Sequence, residues 1–342
     1  MQLLNTLYVT TPESYLHLDN STLRIEVEKE TRLRVPLHHL GAVVCFGYVS
    51  VSLPLMHRLA DDGISLVLLD SHGRFKARLE GGVSGNVLLR QAQHRLALDP
   101  AFALGIARNC VAGKVRNCRQ VLLRGSREAK DVADAAALSR GAADLAATLR
   151  ALPEAGDIDI LRGLEGEAAR QYFAALNHLV RASSRESFRM DGRSRRPPRD
   201  RINALLSFVY SMLMNDCRSA VEAAGLDPQI GFLHAVRPGR AALALDLMEE
   251  FRSFADRLAL SLTNRGQLGP DDFVEREGGA VLLEGDARKA VVVAYQERKQ
   301  ENLSHSLLSE PVPLGLLPSI QARLLARTLR GDTSEYLPYL VR

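Results

Sequence analysis

The chain has 342 residues, 46% of them apolar and 25% charged, and a formal net charge of +4. That supports about two domains with a sizeable core and excludes global disorder. The bulk charge is too small to mark a nucleic-acid partner by itself, so its distribution has to decide. No apolar stretch approaches the roughly 18 residues of a membrane span, and no basic-then-apolar leader opens the chain. Cys45, Cys110, Cys118 and Cys217 show no C-x-x-C pairing. This argues against a zinc ribbon or a redox motif and fits buried free thiols in a reducing, cytoplasmic setting.

Residues 1 to about 80 read as strands. In TLRIEVE, Leu23, Ile25 and Val27 alternate with Arg24, Glu26 and Glu28, the period of a half-buried strand. GAVVCFGYVSVSL is a second β-rich run. LPLMHRLADDG predicts one short helix ending at Gly63, and ISLVLLD and RFKARL flank a turn at Ser71-His72-Gly73. Gly81-Gly82 and Gly85 form a permissive joint. The texture then turns helical, with NVLLRQAQHRLALD, AFALGIARNCVAGKVRNCRQVLLRG and ADAAALSRGAADLAATLRAL. Late in the chain AVLLEG and KAVVVAYQ predict a hairpin closed at Glu284-Gly285-Asp286, and IQARLLARTLRG predicts a final helix. The expected fold class is α+β. An N-terminal β domain at 1–83 precedes a mostly α-helical domain at 84–342 that carries the short hairpin.

Three stretches carry candidate chemistry. In GLEGEAARQYFAALNHLV, Leu161, Leu164, Ala168, Tyr172, Ala175 and Leu179 form an inward stripe, and Glu165 lies beside it. A carboxylate there needs a partner: an arginine such as Arg162, or a cation. In GFLHAVRPGRAALALDLMEEFR a turn at Pro238-Gly239 can fold Asp246, Glu249 and Glu250 back toward His234. Those acids either complement the N-terminal dipole of a helix whose core face is Leu247, Phe251, Phe254 and Leu258, or they share a metal. His234 is either a hydrogen-bonded structural histidine or a ligand. Carboxylates plus one imidazole suit Mg²⁺ or Mn²⁺, the nitrogen favouring Mn²⁺.

The segment from Arg181 to Arg201 holds eight arginines (181, 185, 189, 193, 195, 196, 199, 201) against three acids. Asp191-Gly192 and Pro197-Pro198 make it a loop. Arginine without lysine suits bidentate phosphate contact, the alternative being a solvated or disordered charged linker. In RINALLSFVYSMLMNDCRSAVEAAG, Leu206, Tyr210 and Leu213 share a stripe, so Tyr210 is core with a hydroxyl to spare. Arg90, Arg108, Lys114, Arg116, Arg119 and Arg124 dot the early helices, where a single cation is usually a surface charge.

LRGLEGEAARQYF, RRPPRDRINALLSFVYSML and GFLHAVRPGRAALALDLMEEFR, in this order, resemble the CRISPR-associated spacer-acquisition integrases, the "Cas-one" family, in wording closest to the type I-C form. The resemblance runs over nearly the whole chain. It implies a β domain followed by a helical catalytic domain, and a homodimer that works with a second acquisition protein, "Cas-two". Together they bind prespacer DNA and insert it at the repeat and leader of a CRISPR array. It places the metal ligands on Glu165, His234 and Glu249, with Asp246 in close support and Tyr210 near the site. This chain has Glu249 where relatives often have aspartate, which lengthens that ligand arm. DNA contacts are expected from Arg90, Arg189, Arg193, Arg195, Arg196, Arg199 and Asn203. The expected reaction is Mg²⁺- or Mn²⁺-dependent transesterification by a 3′-hydroxyl, with water giving hydrolysis at the same site. The rival readings are a stand-alone metal-dependent DNA nuclease and a non-catalytic nucleic-acid-binding scaffold whose acids only cap helices.

Overall fold

The structure, a computed structural model, describes residues 6–71, 75–79, 81, 87–308 and 310–341. It divides into two compact units, Met1–Gly85 and Asn86–Arg342. His72 and Gly73 of the expected turn, and Gly82 and Gly85 of the expected joint, lie outside the described residues. Among the described residues no helix is long and apolar enough to cross a membrane.

The first unit holds β1 (Thr6–Val9), β2 (Tyr15–Asp19), β3 (Thr22–Val27), β4 (Glu30–Pro36), β5 (Ala42–Phe46), β6 (Ser50–Val51), α1 (Leu53–Asp61), β7 (Ser65–Leu69) and β8 (Phe75–Leu79). They build two four-stranded sheets, ordered β1-β5-β7-β8 and β4-β3-β2-β6. In the first, β1, β5 and β7 run parallel and β8 closes antiparallel to β7. AVVCF and SLVLL are continuous apolar runs because parallel strands are covered on both faces. In β3 the alternation predicted from sequence holds, since Leu23 and Ile25 are buried while Arg24 pairs with Glu26 at 2.9 Å on the other face. Leu16, Leu23, Val43, Cys45, Leu55, Leu59 and Leu66 form one core. Each such leucine contributes about 2 kcal/mol through burial.

The second unit is mostly helical. Its helices are α2 (Val87–Ala97), α3 (Pro100–Glu128), α4 (Val132–Ala151), α5 (Ile158–Leu176), α6 (Ala182–Arg185), α7 (Arg201–Ala223), α8 (Ala242–Glu249), α9 (Arg252–Asn264), α10 (Gly285–Lys299) and α11 (Leu317–Arg330). Its strands are β9 (Phe273–Arg276), β10 (Ala280–Leu283), β11 (Asn302–Leu303) and β12 (Val312–Pro313). α3 starts where Asp99 accepts from the Ala101 and Phe102 N–H groups, with Pro100 in its first turn. A buried stripe through Ile106, Cys110, Lys114, Cys118 and Val121 makes it an axis for α4, α5, α8 and α9. All four cysteines are free and buried. A β-carbon on Gly113 would stand 2.7 Å from Pro338 Cβ, so this glycine lets the C-terminal segment lie against α3.

Two sequence expectations are corrected here. The hairpin is β9–β10, which turns at Gly278 and Gly279, both at positive φ. KAVVVAYQ instead belongs to α10, because Val291, Val292, Tyr295 and Lys299 recur at helical spacing and are buried together. Burial of that face outweighs the strand preference of three consecutive valines. The run LALDLMEEFRSFADRLAL is not one helix either. It breaks at Glu250-Phe251, where Asn117 Nδ2 donates to the Glu250 carbonyl at 2.9 Å. Asp246, Glu249 and Glu250 are therefore buried near the end of α8 rather than solvated in its first turn, and the dipole reading falls.

Candidate active site

α3, α5 and α8 bring Lys114, Glu165 and Glu249 together. The Lys114 ammonium is ion-paired with Glu165 and stands 2.6 Å from Glu249 Oε2. Glu165 is half-buried beside Leu161 and Ala168, as its place next to the apolar stripe predicted. Its partner is Lys114, however, and not Arg162, which donates to Asp159 and to the Leu233 carbonyl, each at 2.8 Å. Glu167 faces elsewhere with Arg170 and Gln171, as expected. Arg252, one turn beyond Glu249, reaches its Oε1 at 2.8 Å, and His234 Nε2 lies 3.8 Å from the same oxygen. Burial alone would raise the Glu249 carboxyl. Arg252 and Lys114 outweigh it and hold the group well below the usual carboxylate range. Burial would likewise pull Lys114 down, but Glu249 and Glu165 keep it charged and above its ordinary value.

His234 is aimed by Asp246. That carboxylate is 1% exposed and accepts from the N–H groups of Phe232 (2.6 Å), Leu233 (3.0 Å) and His234 (2.9 Å). The His234 Nδ1 is a further 2.7 Å contact. The loop can press this closely because residue 231 is glycine: a β-carbon there would fall 2.7 Å from Asp246 Oδ2 and 2.8 Å from the Ala242 carbonyl carbon. Nδ1 faces Asp246, so Nε2 is turned to the Glu249 side. Asp246 thus orients the imidazole and does not itself face the acid pair.

Tyr210 lies in the adjoining layer. Its hydroxyl and that of Tyr172 both donate to Asp256, which is 1% exposed. The Arg252 and Arg193 guanidinium carbons stand 4.8 and 5.4 Å from the Tyr210 ring centre. Burial pushes the Asp256 carboxyl up to about 6, against the pull of both phenols and of Arg252. Between about pH 4 and 6 the folded chain keeps a proton there that the unfolded chain has lost. The contribution of this group is therefore complete below about pH 4 and is lost as pH rises through 6. Chemical denaturation should show wild type losing about 3 kcal/mol relative to Asp256→Asn between pH 4 and 7. A pH-independent difference would contradict this assignment.

The arginine loop is ordered by the protein, so the disordered-linker reading falls. Asn203 is buried, accepts from Arg193 Nη1 (2.6 Å) and Ser194 N (3.1 Å), and donates to the Gly192 carbonyl (2.8 Å). It shapes the loop from inside and is not an exposed contact. Pro198 O accepts from Val281 N of β10 at 2.9 Å. Arg185 pairs with Asp134 at 2.6 Å, and Arg201 donates to the Ser187 carbonyl at 2.8 Å. Arg189, Arg195, Arg196 and Arg199 are exposed, Arg193 is half-buried, and Arg90 is half-buried on α2. Arg195 also lines a cavity of about 10 Å³ shared with Lys114, Tyr210, Arg252 and Asp256. The loop therefore reaches the cavity beside the acid centre.

Among the described residues no three His, Cys, Asp or Glu side chains already stand in metal-holding geometry. The donor set nevertheless fits a divalent cation. Glu249 Oε2 is buried and accepts no hydrogen bond, only the ionic contact of Lys114, and His234 Nε2 faces the same carboxylate. Sequence reading missed Lys114, Arg252 and Asp256. Their signal was weak: a polar residue on a helical stripe that is otherwise apolar.

The class this defines is an α+β protein whose helical unit holds a partly buried acid–histidine centre and an ordered arginine loop. The chain matches the family model "CRISPR associated protein Cas1" over residues 7–297. It is 58% identical, over 99% of both chains, to "CRISPR-associated endonuclease Cas1 1" of Moorella thermoacetica. Its fold is similar to a chain of a Cas6-RT-Cas1–Cas2 complex, with TM-score 0.84 and 26% identity over 99% of this chain and 36% of that one. It is also similar to a casposase bound to integration product, with TM-score 0.83 and 20% identity over 97% and 92% of the two chains. The chain belongs to the Cas1 family.

Proposed function

We propose that this chain is a divalent-metal-dependent DNA integrase and endonuclease of CRISPR adaptation, which inserts prespacer DNA into the array by transesterification. The observation that supports the reading is that Glu165 and Glu249, from distant stretches, meet at the Lys114 ammonium while His234 Nε2 lies 3.8 Å from the other Glu249 oxygen. Support comes from the relative named as a Cas1 endonuclease and from the fold shared with a casposase on its integration product. The Cas1–Cas2 complex among the similar structures supports a Cas2 partner, and the chain is expected to act as a homodimer with it.

In the reaction a prespacer 3′-hydroxyl gives up its proton to solvent as its oxygen bonds to the phosphorus of a phosphodiester at the repeat edge. The bond from that phosphorus to the neighbouring 3′-oxygen breaks, and the leaving oxygen takes up a proton. Glu165, His234 and Glu249 would hold Mg²⁺ or Mn²⁺, which supplies Lewis acidity to the phosphate oxygens. Asp246 keeps His234 Nε2 directed at the centre, and Arg252 keeps Glu249 ionised. Arg195, with Arg196 and Arg199, binds the DNA backbone beside it. Water in place of the hydroxyl gives strand cleavage at the same centre.

Incubation with a 3′-hydroxyl duplex, a repeat-bearing plasmid, Cas2 and Mn²⁺ should yield joined product on a gel, and chelation should remove it. Cleavage without joining would leave only the nuclease. Arg195→Ala combined with Arg196→Ala should lower the slope of log Kobs against log salt by about 2, one phosphate contact per arginine. An unchanged slope would place the DNA elsewhere.

A further inference from the structure

Lys114 is a mid-helix lysine that is 6% exposed, and its ammonium touches two of the three candidate ligands. Two carboxylates brought together in a protein interior repel each other and lose hydration, so in the metal-free protein something positive must stand between them. Arg252 neutralises only the Oε1 side of Glu249, whereas Lys114 faces Oε2 and Glu165. Lys114 donates a hydrogen bond to Glu165, whereas its contact with Glu249 Oε2 is an ion pair alone. Arginine, a rigid fork, would lock such a position. Lysine is a point charge on four rotatable bonds and can leave it. The Lys114 side chain also borders the 10 Å³ cavity that Asp256 and Tyr210 line, which is space beside the centre and not part of it.

This inference rests on the metal reading above. We propose that Lys114 is a resident counter-ion: it holds Glu165 and Glu249 together in the metal-free enzyme, and it must withdraw from their oxygens for a divalent cation to bind. Folding is then independent of metal, unlike small domains whose ligands are uncompensated without it. The cost of displacing the ammonium is charged against every binding event, so Lys114 sets how much divalent ion the enzyme requires. A weak, readily exchanged metal is the consequence.

The test is Mn²⁺ binding to metal-free protein, by calorimetry and by the paramagnetic resonance signal of free Mn²⁺, alongside melting in EDTA and in Mn²⁺. Lys114→Met should bind Mn²⁺ at least tenfold more tightly than wild type. It should melt lower than wild type in EDTA and recover most of that loss in Mn²⁺. Lys114→Arg should melt like wild type and bind Mn²⁺ at least tenfold more weakly. A Lys114→Met affinity equal to or below that of wild type would overturn the proposal and make Lys114 a fixed strut, while the metal reading would stand if His234→Ala still lost binding. Folded wild type and variants that all fail to bind Mn²⁺ would sink both. If Lys114→Met folds only when Mn²⁺ is added, the counter-ion role is supported. If it does not fold at all, Lys114→Arg decides: unchanged or tighter binding there overturns the idea.

Discussion

His234→Ala is expected to abolish strand joining, by at least about a hundredfold, while the protein stays folded and still binds DNA. The reasoning separates the imidazole from its surroundings. Asp246 accepts three backbone N–H groups of the 232–234 loop, and none of these needs the side chain of residue 234. Alanine therefore keeps the loop on α8. It removes the Nε2 atom that faces Glu249, and with it the nitrogen ligand of the centre. Residues that merely orient metal ligands cost ten- to a hundredfold when mutated, so loss of a ligand should cost at least the upper figure. The arginine loop is shaped by Asn203 and not by His234, so DNA affinity and its salt dependence should not move. Single-turnover joining assays in Mn²⁺, with melting curves and filter binding in parallel, check all three. Normal joining by His234→Ala would remove the imidazole from the chemistry.

Glu250→Ala is expected to give the largest loss of stability, about 3 kcal/mol. This neighbour of Glu249 belongs to another cluster. Its carboxyl, 0% exposed, accepts from the Tyr336 hydroxyl, from Gln321 Nε2 at 2.9 Å and from the Tyr339 N–H at 2.7 Å. Alanine leaves the Tyr336 hydroxyl and the Tyr339 N–H without this acceptor, each worth about 1–3 kcal/mol, while Gln321 Nε2 keeps the Leu337 carbonyl, and the loss is partly offset because a costly buried acid has gone. Tyr336 and Tyr339 would loosen from α3, where Asn117 also holds the segment through the Tyr339 carbonyl at 2.9 Å. Urea denaturation should show a lower midpoint with an unchanged slope. A midpoint like that of wild type would mean that the C-terminal segment adds little to this unit.

The residues themselves told much of this. Alternation in β3, the apolar runs of β5 and β7, and the short helix α1 that stops before Gly63 are local signals, and each formed as read. So did the long helices, because their stripes repeat over several turns. Glu165, His234 and Glu249 could be picked out because an ionisable group at an apolar edge needs a reason, and the family wording supplied one. The hairpin failed because a run of valines suits a strand or a buried helix face, and only packing chooses.

What the sequence by itself determined is the order of strands then helices, the α+β class and the acids and histidine of the centre. Tertiary structure alone decided which charges meet. Lys114 looks like a surface lysine along α3 until α5 and α8 close over it, and Glu165 was free to choose Arg162 until its neighbours were placed. Glu249 and Glu250, adjacent in the chain, serve different clusters because the helix breaks between α8 and α9. Periodicity reports which face of an element is buried. The partner of a buried charge lies on another element, at a distance that Coulomb attraction and desolvation settle only once the chain has folded.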